Sequence, residues 1–355
     1  MKAPHHNLLI DKVFTCNSHG IGYGKLSYIT AWTKIHFPLE YYAAALRQQD
    51  ETGGKKEAKI DEKEQVIKEM NEFGITLKPP SIKHPCIFYD VYDSNTIYTG
   101  IANTKDIGEY EANLVISYIK EYTELNWIHL LFYLTPQVKS RTFENLCLLG
   151  FFGDLGLSRE RMVYEYQTYD KLTVKEINWL KGNISQIQNL EHGIELLIGN
   201  FEAGNKNGIF NAKRLVAVKD FLKTLKNPPH PLDDTPILIN KHEKRLLTVP
   251  LTYSDIEART LCGIYTNTTC KEFNNGKNSK NMNIAVSISR LKEIVTKNGQ
   301  KMAFLTCSDD SGELECVVFP DIYEEYIDLL QNKNTVLITG ERSKQSFNIT
   351  KVQQI

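Results

Sequence analysis

The sequence predicts an α+β protein of several domains, mainly helical at first and β-rich towards its C-terminal end. Before about residue 273, residues such as Tyr23, Leu26 and Phe37 recur near helical spacing. Beyond that point come five β-rich runs, with a helical run, Asp321–Leu330, between the third and the fourth. The five runs are Ile284–Val295, Met302–Ser308, Leu314–Phe319, Thr335–Gly340 and Phe347–Val352. This order predicts a five-stranded OB-fold, a small Greek-key barrel.

The helical part is divided by proline, glycine and capping residues. A helical pattern begins at Ser18, and Pro38 should interrupt it because proline cannot donate the next backbone hydrogen bond. Gly74 is a suitable stop for a helix over Glu57–Phe73. The features predicted next are β-hairpin strands at Cys86–Tyr92 and Thr96–Gly100, helices over Asp106–Tyr122 and Phe143–Leu149, and helix N-caps at Ser158 and Thr173.

Net charge, apolar runs and cysteine spacing limit the classes of protein to which this chain can belong. The formal net charge is only −1 over 355 residues, so any contact with DNA depends on local basic patches rather than on bulk attraction. The sequence has no apolar run long enough to cross a bilayer, and we expect a cytoplasmic protein without a membrane partner. The seven cysteines include no C-x-x-C pair, which favours free thiols over a metal site.

The stretch from Ser18 to Pro38 reads SHGIGYGKLSYITAWTKIHFP. It resembles the fingers segment of the bacterial DNA polymerase III alpha subunits, the family C replicative polymerases, where S-H-x-x-x-Y-x-x-x-S-Y-x-T-A-W-x-K-x-H-x-P is typical. Later segments resemble the same family in the same order. They are Gly74–Pro80 (G-I-x-[VIL]-x-P-P), Gly100–Glu109 (G-L-x-x-I-K-G-V-G-E), Phe143–Asp154 (x-L-x-x-x-G-A-F-D) and Ile239–Glu257 (E-x-x-x-L-G-x-x-L-T).

The resemblance implies five segments. They are a lead-in at 1–17, the fingers at 18–85, a β-hairpin and helix-hairpin-helix region at 86–198, a linker with connecting helices at 199–273 and the OB-fold at 274–355. It also implies that Ser18, His19 and Lys34 lie on the nucleotide side of the fingers, where cationic donors neutralise triphosphate charge. The alternatives are a local backbone contact for His19 and surface packing for Lys34.

DNA-binding residues are expected in two places. In the helix-hairpin-helix, the resemblance implies that Lys105, Ile107 and Gly108 meet a phosphate through a tight turn, although Asp106 replaces the first family glycine with a repelling carboxylate. In the OB-fold, basic groups beside an aromatic ring suit single-stranded template. These candidates are Arg290, Lys292, Lys297, Lys301 and Phe304. The alternative is that Phe304 belongs to the barrel core. No clear sliding-clamp motif is present in the sequence.

The resemblance implies no catalytic residue and no cofactor in this chain. In the family the carboxylates that hold Mg²⁺ lie in the palm, upstream of the fingers, so the resemblance implies a palm-bearing partner chain.

Residues 1–17 admit two interpretations. They resemble the C-terminal end of an intein, with Asn17 to cyclise and Ser18 to accept the extein, although Cys16 replaces the usual penultimate histidine. They otherwise form an ordinary lead-in.

Two hypotheses follow from these observations. In the first, the chain is the C-terminal part of a split replicative DNA polymerase and binds primer-template and single-stranded template DNA beside a palm-bearing partner. In the second, it is a non-catalytic DNA-binding protein derived from such a polymerase. The richness in Asn, Lys and Ile resembles that of AT-rich genomes and predicts a phage or a low-GC bacterium as the source.

Overall fold

A computed structural model describes residues 6–51, 56–122, 125–203, 212–331, 335–343 and 346–355. The chain forms two compact units, Met1–Glu124 and Leu125–Ile355. The division falls inside the predicted segment 86–198. None of the helices in the described ranges is both long and apolar enough to span a bilayer.

The first unit begins with three successive helices and contains a fourth near its end. They are α1 (His6–His36), α2 (Pro38–Glu51), α3 (Lys56–Glu72) and α4 (Glu109–Glu121). The predicted interruption at Pro38 is confirmed, since α1 ends at His36 and α2 starts at the proline. The predicted start at Ser18 is wrong, because α1 already begins at His6. No proline or glycine lies between His6 and His19, so nothing in the local sequence stops the helix there.

A small sheet follows α3. Its strands are β1 (Thr76–Lys78), β2 (Asp90–Val91) and β3 (Thr96–Tyr98), in the order β1-β3-β2. The predicted hairpin is confirmed as the antiparallel pair β2–β3, and it turns where Asn95 N–H donates to the Asp93 carboxylate at 2.9 Å. The strands are shorter than predicted, because the carbonyls of Cys86 and Ile87 accept from Ile101 and Ala102 instead of joining the sheet.

The carboxylate of Asp50 connects two helices of the first unit to the segments around the small sheet. Asp50, in α2, accepts hydrogen bonds from Lys63 of α3 at 3.1 Å, from the Tyr89 hydroxyl at 2.7 Å and from Asn103 at 2.9 Å. These three partners come from three separate stretches of the chain. Burial is the largest influence on the pKa of two of these partners. It lowers the pKa of Lys63 and raises the pKa of Tyr89. Asp50 therefore fixes the turn near Asn103 relative to α2 and α3.

The second unit starts with helices that surround an aromatic core. They are α5 (Trp127–His129), α6 (Ser140–Leu148), α7 (Arg159–Tyr169), α8 (Val174–Gly182), α9 (Leu190–Glu202), α10 (Ala212–Lys226), α11 (Pro236–Leu247), α12 (Asp255–Leu261) and α13 (Cys270–Asn274). The predicted N-caps are confirmed: Ser158 accepts from Arg161 N–H, and Thr173 forms a capping box with Glu176. In the core, the buried indole of Trp127 donates to Glu165 at 2.7 Å.

The second unit ends in a closed barrel with the predicted order of elements. Its strands and helix are β4 (Met282–Val295), β5 (Lys301–Asp309), β6 (Gly312–Val318), α14 (Pro320–Gln331), β7 (Thr335–Ser343) and β8 (Ser346–Gln354). The strands close in the order β4-β5-β6-β8-β7, and β7 pairs with β4. The α+β class with a C-terminal five-stranded OB-fold is confirmed. Inward side chains such as Leu305, Cys316 and Ile338 are fully buried.

The segment that precedes α12 is held by a buried carboxylate. Glu243, in α11, accepts hydrogen bonds from Leu251 N–H at 2.7 Å and from Thr252 N–H at 2.8 Å. These residues follow the family pattern E-x-x-x-L-G-x-x-L-T, with Thr248 in place of the glycine. Thr248 adopts a left-handed backbone with φ of 73°, which is strained for a β-branched residue. The turn therefore has the backbone conformation that glycine usually adopts, although the residue is a threonine.

We predict that Thr248→Gly stabilises the second unit. The left-handed conformation costs a residue with a Cβ atom roughly 1–2 kcal/mol, which glycine avoids. Glycine also makes the unfolded chain more flexible, which stabilises the unfolded state and offsets part of this gain in stability. Thr248 is exposed, so little packing is lost. The free energy of unfolding in urea should rise by roughly 0.5–1 kcal/mol. Thr248→Ala, which keeps a Cβ atom, is the matched control and should give no such gain; an equal gain would contradict the explanation.

The ion pair between Glu176 and Arg214 predicts a pH dependence of stability. Both Glu176 oxygens accept from Arg214 at 2.7 Å, and the carboxylate is fully buried. Burial alone would raise the pKa of Glu176, but the bonds from Arg214 and Thr173 outweigh it and lower the pKa below its usual value. The stabilisation is therefore present above the pKa of an unfolded glutamate, about 4.3, and is lost as pH falls below it.

Glu176→Gln should therefore cost about 1–3 kcal/mol of unfolding free energy at pH 7 and clearly less at pH 3. The measurement is urea unfolding of both proteins across this pH range. Glu195→Gln removes the exposed pair with Lys226 and serves as the control, whose effect should be small at both pH values. A cost for Glu176→Gln that stays constant with pH would contradict the assignment.

Candidate nucleic-acid interface

The pairing of β4, β5 and β6 arranges side chains in rows across the outer face of the barrel. Lys292 pairs with Phe304, and Phe304 pairs with Val317. On either side of this row lie the pairs Arg290–Thr306 and Ile294–Met302. Successive residues of a strand point to opposite faces, so these side chains share one face while Ala303 and Leu305 point inward. We call the rows of Lys292, Phe304 and their neighbours the β4–β6 face.

Phe304 is an exposed ring on this face. It is 40% exposed, whereas the adjacent Leu305 is fully buried, so the interpretation of Phe304 as barrel core is wrong. Ile294 and Met302 are half-buried beside it, and Lys292 is exposed. A flat ring next to an ammonium group can stack on a base and attract its phosphate. The β4–β6 face therefore has the chemistry of a single-strand binding surface.

The basic candidates divide between this face and other places. Arg290 and Lys292 lie on the β4–β6 face, and Lys297 is exposed in the turn that connects β4 with β5. Lys301 lies elsewhere, because it pairs with Val295 and its ammonium group bonds Glu293 at 2.8 Å. Glu293 also accepts the hydroxyl of the buried Tyr323 at 2.7 Å. Lys301 and Glu293 therefore attach α14 to the barrel.

Acidic groups limit the β4–β6 face at one end. Glu315 pairs with Thr306 and accepts its hydroxyl at 3.2 Å, and Glu313 pairs with Ser308. Both glutamates are exposed. They would repel a phosphate, whereas Lys292 in the central row and Lys297 in the β4–β5 turn would attract one. The electrostatics thus favour a strand that crosses the face at the end near the β4–β5 turn.

The turn between β5 and β6 is attached to the helices. Asp309 accepts Cys270 N–H at 2.8 Å, and Asp310 accepts the Ser254 hydroxyl at 2.6 Å. Asp309 is half-buried and Asp310 is exposed, so the turn stays in contact with solvent while both carboxylates accept these bonds. Asp234 is likewise bonded, since it accepts Arg159 N–H at 2.8 Å. Within the described residues no group of three or more His, Cys, Asp or Glu side chains could hold a metal ion, so the residues there do not fit a Mg²⁺ site.

The candidate phosphate turn in the first unit is built differently from the prediction. Where a helix-hairpin-helix would have its first helix, the structure has a three-residue 3-10 turn, Ile101–Asn103, so that motif is not confirmed. Ile107 is buried and its N–H donates to the Thr104 carbonyl at 3.1 Å, which leaves it unable to point at a phosphate. Gly108 is the N-cap of α4, and Lys105 is exposed.

Asp106 explains how this turn forms without its usual glycine. Its backbone is left-handed, with φ of 66°, at the position where the family pattern has glycine. Aspartate tolerates this conformation better than most residues. The first turn of α4 adds the acidic side chains of Glu109 and Glu111. The turn therefore keeps a glycine-type backbone at Asp106 but carries acidic side chains where a phosphate would bind.

Lys34, in α1, contacts residues of α2 and α3. Its ammonium group pairs with Glu69 and lies 5.7 Å from the ring centre of Tyr41, 5.8 Å from that of Tyr42 and 5.9 Å from that of Phe73. Its side chain is 25% exposed. These contacts join α1 to α2 and α3. The structure therefore gives Lys34 a packing role, and its place on the nucleotide side of the fingers stays a prediction.

The remaining candidates lie in the first half of α1. Asn17, Ser18 and His19 are helical residues within α1, and their side chains are outside the described part of the structure. Their assigned roles stay predictions. The sequence analysis missed Ile294 and Met302 on the β4–β6 face. Alternation along a strand would have predicted both. Ile294 lies two residues after Lys292 on β4, and Met302 lies two residues before Phe304 on β5.

Comparisons with known proteins agree with this arrangement. A family model described as an OB-fold nucleic acid binding domain matches residues 282–353, which is the barrel. The chain is 25% identical over 329 residues to the DNA polymerase III subunit alpha of Aquifex aeolicus (strain VF5), covering 91% of this chain and 23% of that protein. It is also 25% identical over 339 residues to the protein of that name from Staphylococcus aureus (strain MRSA252), covering 95% and 27%.

The chain therefore spans about a quarter of the length of the curated relatives that it matches. The similarity extends over nearly the whole chain and is not confined to the barrel. Together, the barrel and the relatives support a DNA-binding role related to that of a replicative polymerase.

Proposed function

We propose that this chain supplies fingers and DNA-binding elements to a replicative DNA polymerase whose catalytic palm is on another polypeptide. The observation that carries the proposal is the β4–β6 face, where Lys292 and the exposed Phe304 are paired neighbours. The similarity to DNA polymerase III alpha subunits supports the polymerase context. In this proposal the face holds single-stranded template, Mg²⁺ is bound at the partner's palm, and the complex works in the cytoplasm.

The exposed apolar surface of α1 supports the palm-bearing partner. Ile21, Tyr28 and Ile35 follow one another at seven-residue spacing, which places them along one side of the helix with Trp32 beside them. Their exposed fractions are 72%, 69%, 70% and 43%. We call these four residues the α1 stripe. Large apolar groups in a row on one helix face are typical of a surface that another protein covers.

His19 belongs to the same proposal as a contact to the incoming nucleotide, one turn before Tyr23 on α1. The intein interpretation of Asn17 and Ser18, and an origin in a phage or a low-GC bacterium, are further parts of the hypothesis. The second candidate function is a non-catalytic DNA-binding protein that uses the barrel alone. The β4–β6 face would serve either function, so the α1 stripe is what distinguishes them.

We predict that the β4–β6 face binds single-stranded DNA through Phe304 and Lys292. Phe304→Ala should weaken binding of a fluorescent oligonucleotide about tenfold, since base stacking contributes roughly 1–3 kcal/mol per base. Lys292→Ala should reduce the slope of log affinity against log salt by about 0.7. The measurement is fluorescence anisotropy across a salt series.

Two variants in the same unit control for this experiment. Tyr265 is 70% exposed and lies outside the strands of the β4–β6 face, and Lys301 is paired with Glu293. Tyr265→Ala and Lys301→Ala should therefore bind single-stranded DNA like the unmodified protein. If they weaken binding as much as Phe304→Ala does, the β4–β6 face is not the binding surface.

We predict that the α1 stripe is needed for DNA synthesis but not for DNA binding. Primer extension by a palm-bearing polypeptide of the same genome should require this chain, and Tyr28→Asp should abolish the stimulation by placing a charge in the covered surface. Leu26→Asp is the matched control, because Leu26 is 68% exposed but lies on another side of α1. Extension that is unaffected by omitting the chain would favour the non-catalytic function.

A further inference from the structure

The small sheet of the first unit has a solvent-facing side with an uncommon set of residues. The register aligns Lys78 of β1, Tyr98 of β3 and Asp90 of β2 in one row across the three strands. The intervening Leu77 and Ile97 point the other way and are buried. The row therefore lies on the outside of the sheet, with a tyrosine at its centre and a lysine at one end.

Two more rings complete this surface. The His84 ring centre lies 5.0 Å from that of Tyr92 and 5.2 Å from that of Tyr98, and the two tyrosine rings are 5.4 Å apart. The tyrosine planes meet at 85°, so the edge of one ring packs against one face of the other and leaves the opposite face of that ring uncovered by this pair. Tyr92 is 56% exposed. Three rings thus form a cluster at the surface, in which Tyr92 is exposed and His84 and Tyr98 are half-buried.

The charges around the cluster are arranged on two sides. The Lys78 ammonium group lies 5.9 Å from the Tyr98 ring centre. Asp90 is bonded to His84 at 3.0 Å, and Asp93 accepts Asn95 N–H within the hairpin turn. Both carboxylates keep their negative charge and lie on the β2 side of the cluster, whereas Lys78 lies on the β1 side. A phosphate is attracted to the Lys78 side of the cluster, with its base over the tyrosines.

We propose that this tyrosine–histidine surface is a second stacking site for an unpaired base of single-stranded DNA. Aromatic rings beside a cation are the means by which proteins bind single strands without reading sequence. Bases in a duplex are stacked on one another and cannot reach these rings, so the site selects unpaired nucleotides. The inference rests on the proposed DNA-binding function and adds a site in the first unit that is separate from the β4–β6 face.

The test uses the full chain and an oligothymidylate that carries one 5-iodouracil, which crosslinks to nearby aromatic residues on irradiation. Mass spectrometry should find crosslinks on peptides that contain Tyr92 or Tyr98. In a Phe304→Ala background, which weakens the β4–β6 face, Tyr92→Ala should reduce the remaining affinity about tenfold. Tyr92→Phe keeps the ring and should bind like that background.

Tyr110→Ala is the matched control, since Tyr110 is 73% exposed in the same unit but lies outside the cluster. It should leave both the affinity and the crosslinks unchanged. Crosslinks confined to the barrel, together with unchanged affinity of Tyr92→Ala, would overturn the second site and leave the proposed function in place. Failure of the unmodified chain to bind single-stranded DNA at all would overturn both.

Discussion

The antiparallel register between β4 and β5 is the constraint on which the candidate DNA surface depends. Side chains alternate along a strand, so a shift of one residue would bury Phe304 and expose Leu305. The fully buried Leu305 and Cys307 oppose that shift, because it would move both into water. Pairing of the first half of β4 with β7 also closes the barrel, while the second half of β4 pairs with β5. The exposure of Phe304 is thus a consequence of core packing elsewhere.

Two turns keep a glycine-type backbone with other residues. Asp106 and Thr248 both have left-handed φ angles where the family patterns have glycine. Their neighbours hold them in place: Ile107 is buried after the first, and Glu243 bonds the segment after the second. At Thr248 the cost is conformational strain alone. At Asp106 the substitution also brings a carboxylate to a candidate phosphate site, so the barrel is the stronger candidate for DNA contact.

Sequence reasoning found the features that depend on local pattern. Alternation and turn residues gave the barrel strands and α14 in their correct order, and capping residues such as Ser158 and Thr173 marked helix starts. It could not find β1, whose three residues are a strand only through pairing with β3. Nor could it find the partner of Lys34, because Glu69 is 35 residues away and meets it only after α1 and α3 pack. The strand β1 and the pair of Lys34 with Glu69 both depend on segments that come together only in the folded protein.

Several carboxylates in the described part of the chain serve as hydrogen-bond acceptors that hold elements together. Asp50 accepts from Lys63, Tyr89 and Asn103, Glu176 accepts from Arg214, and Glu243 accepts from the segment before α12. A carboxylate that holds Mg²⁺ must give its lone pairs to the metal, and these give theirs to N–H and O–H donors. Exchanging the donors for a metal would release the elements that they join. Our proposal therefore assigns nucleotidyl transfer to acids on another polypeptide and the holding of DNA to this one.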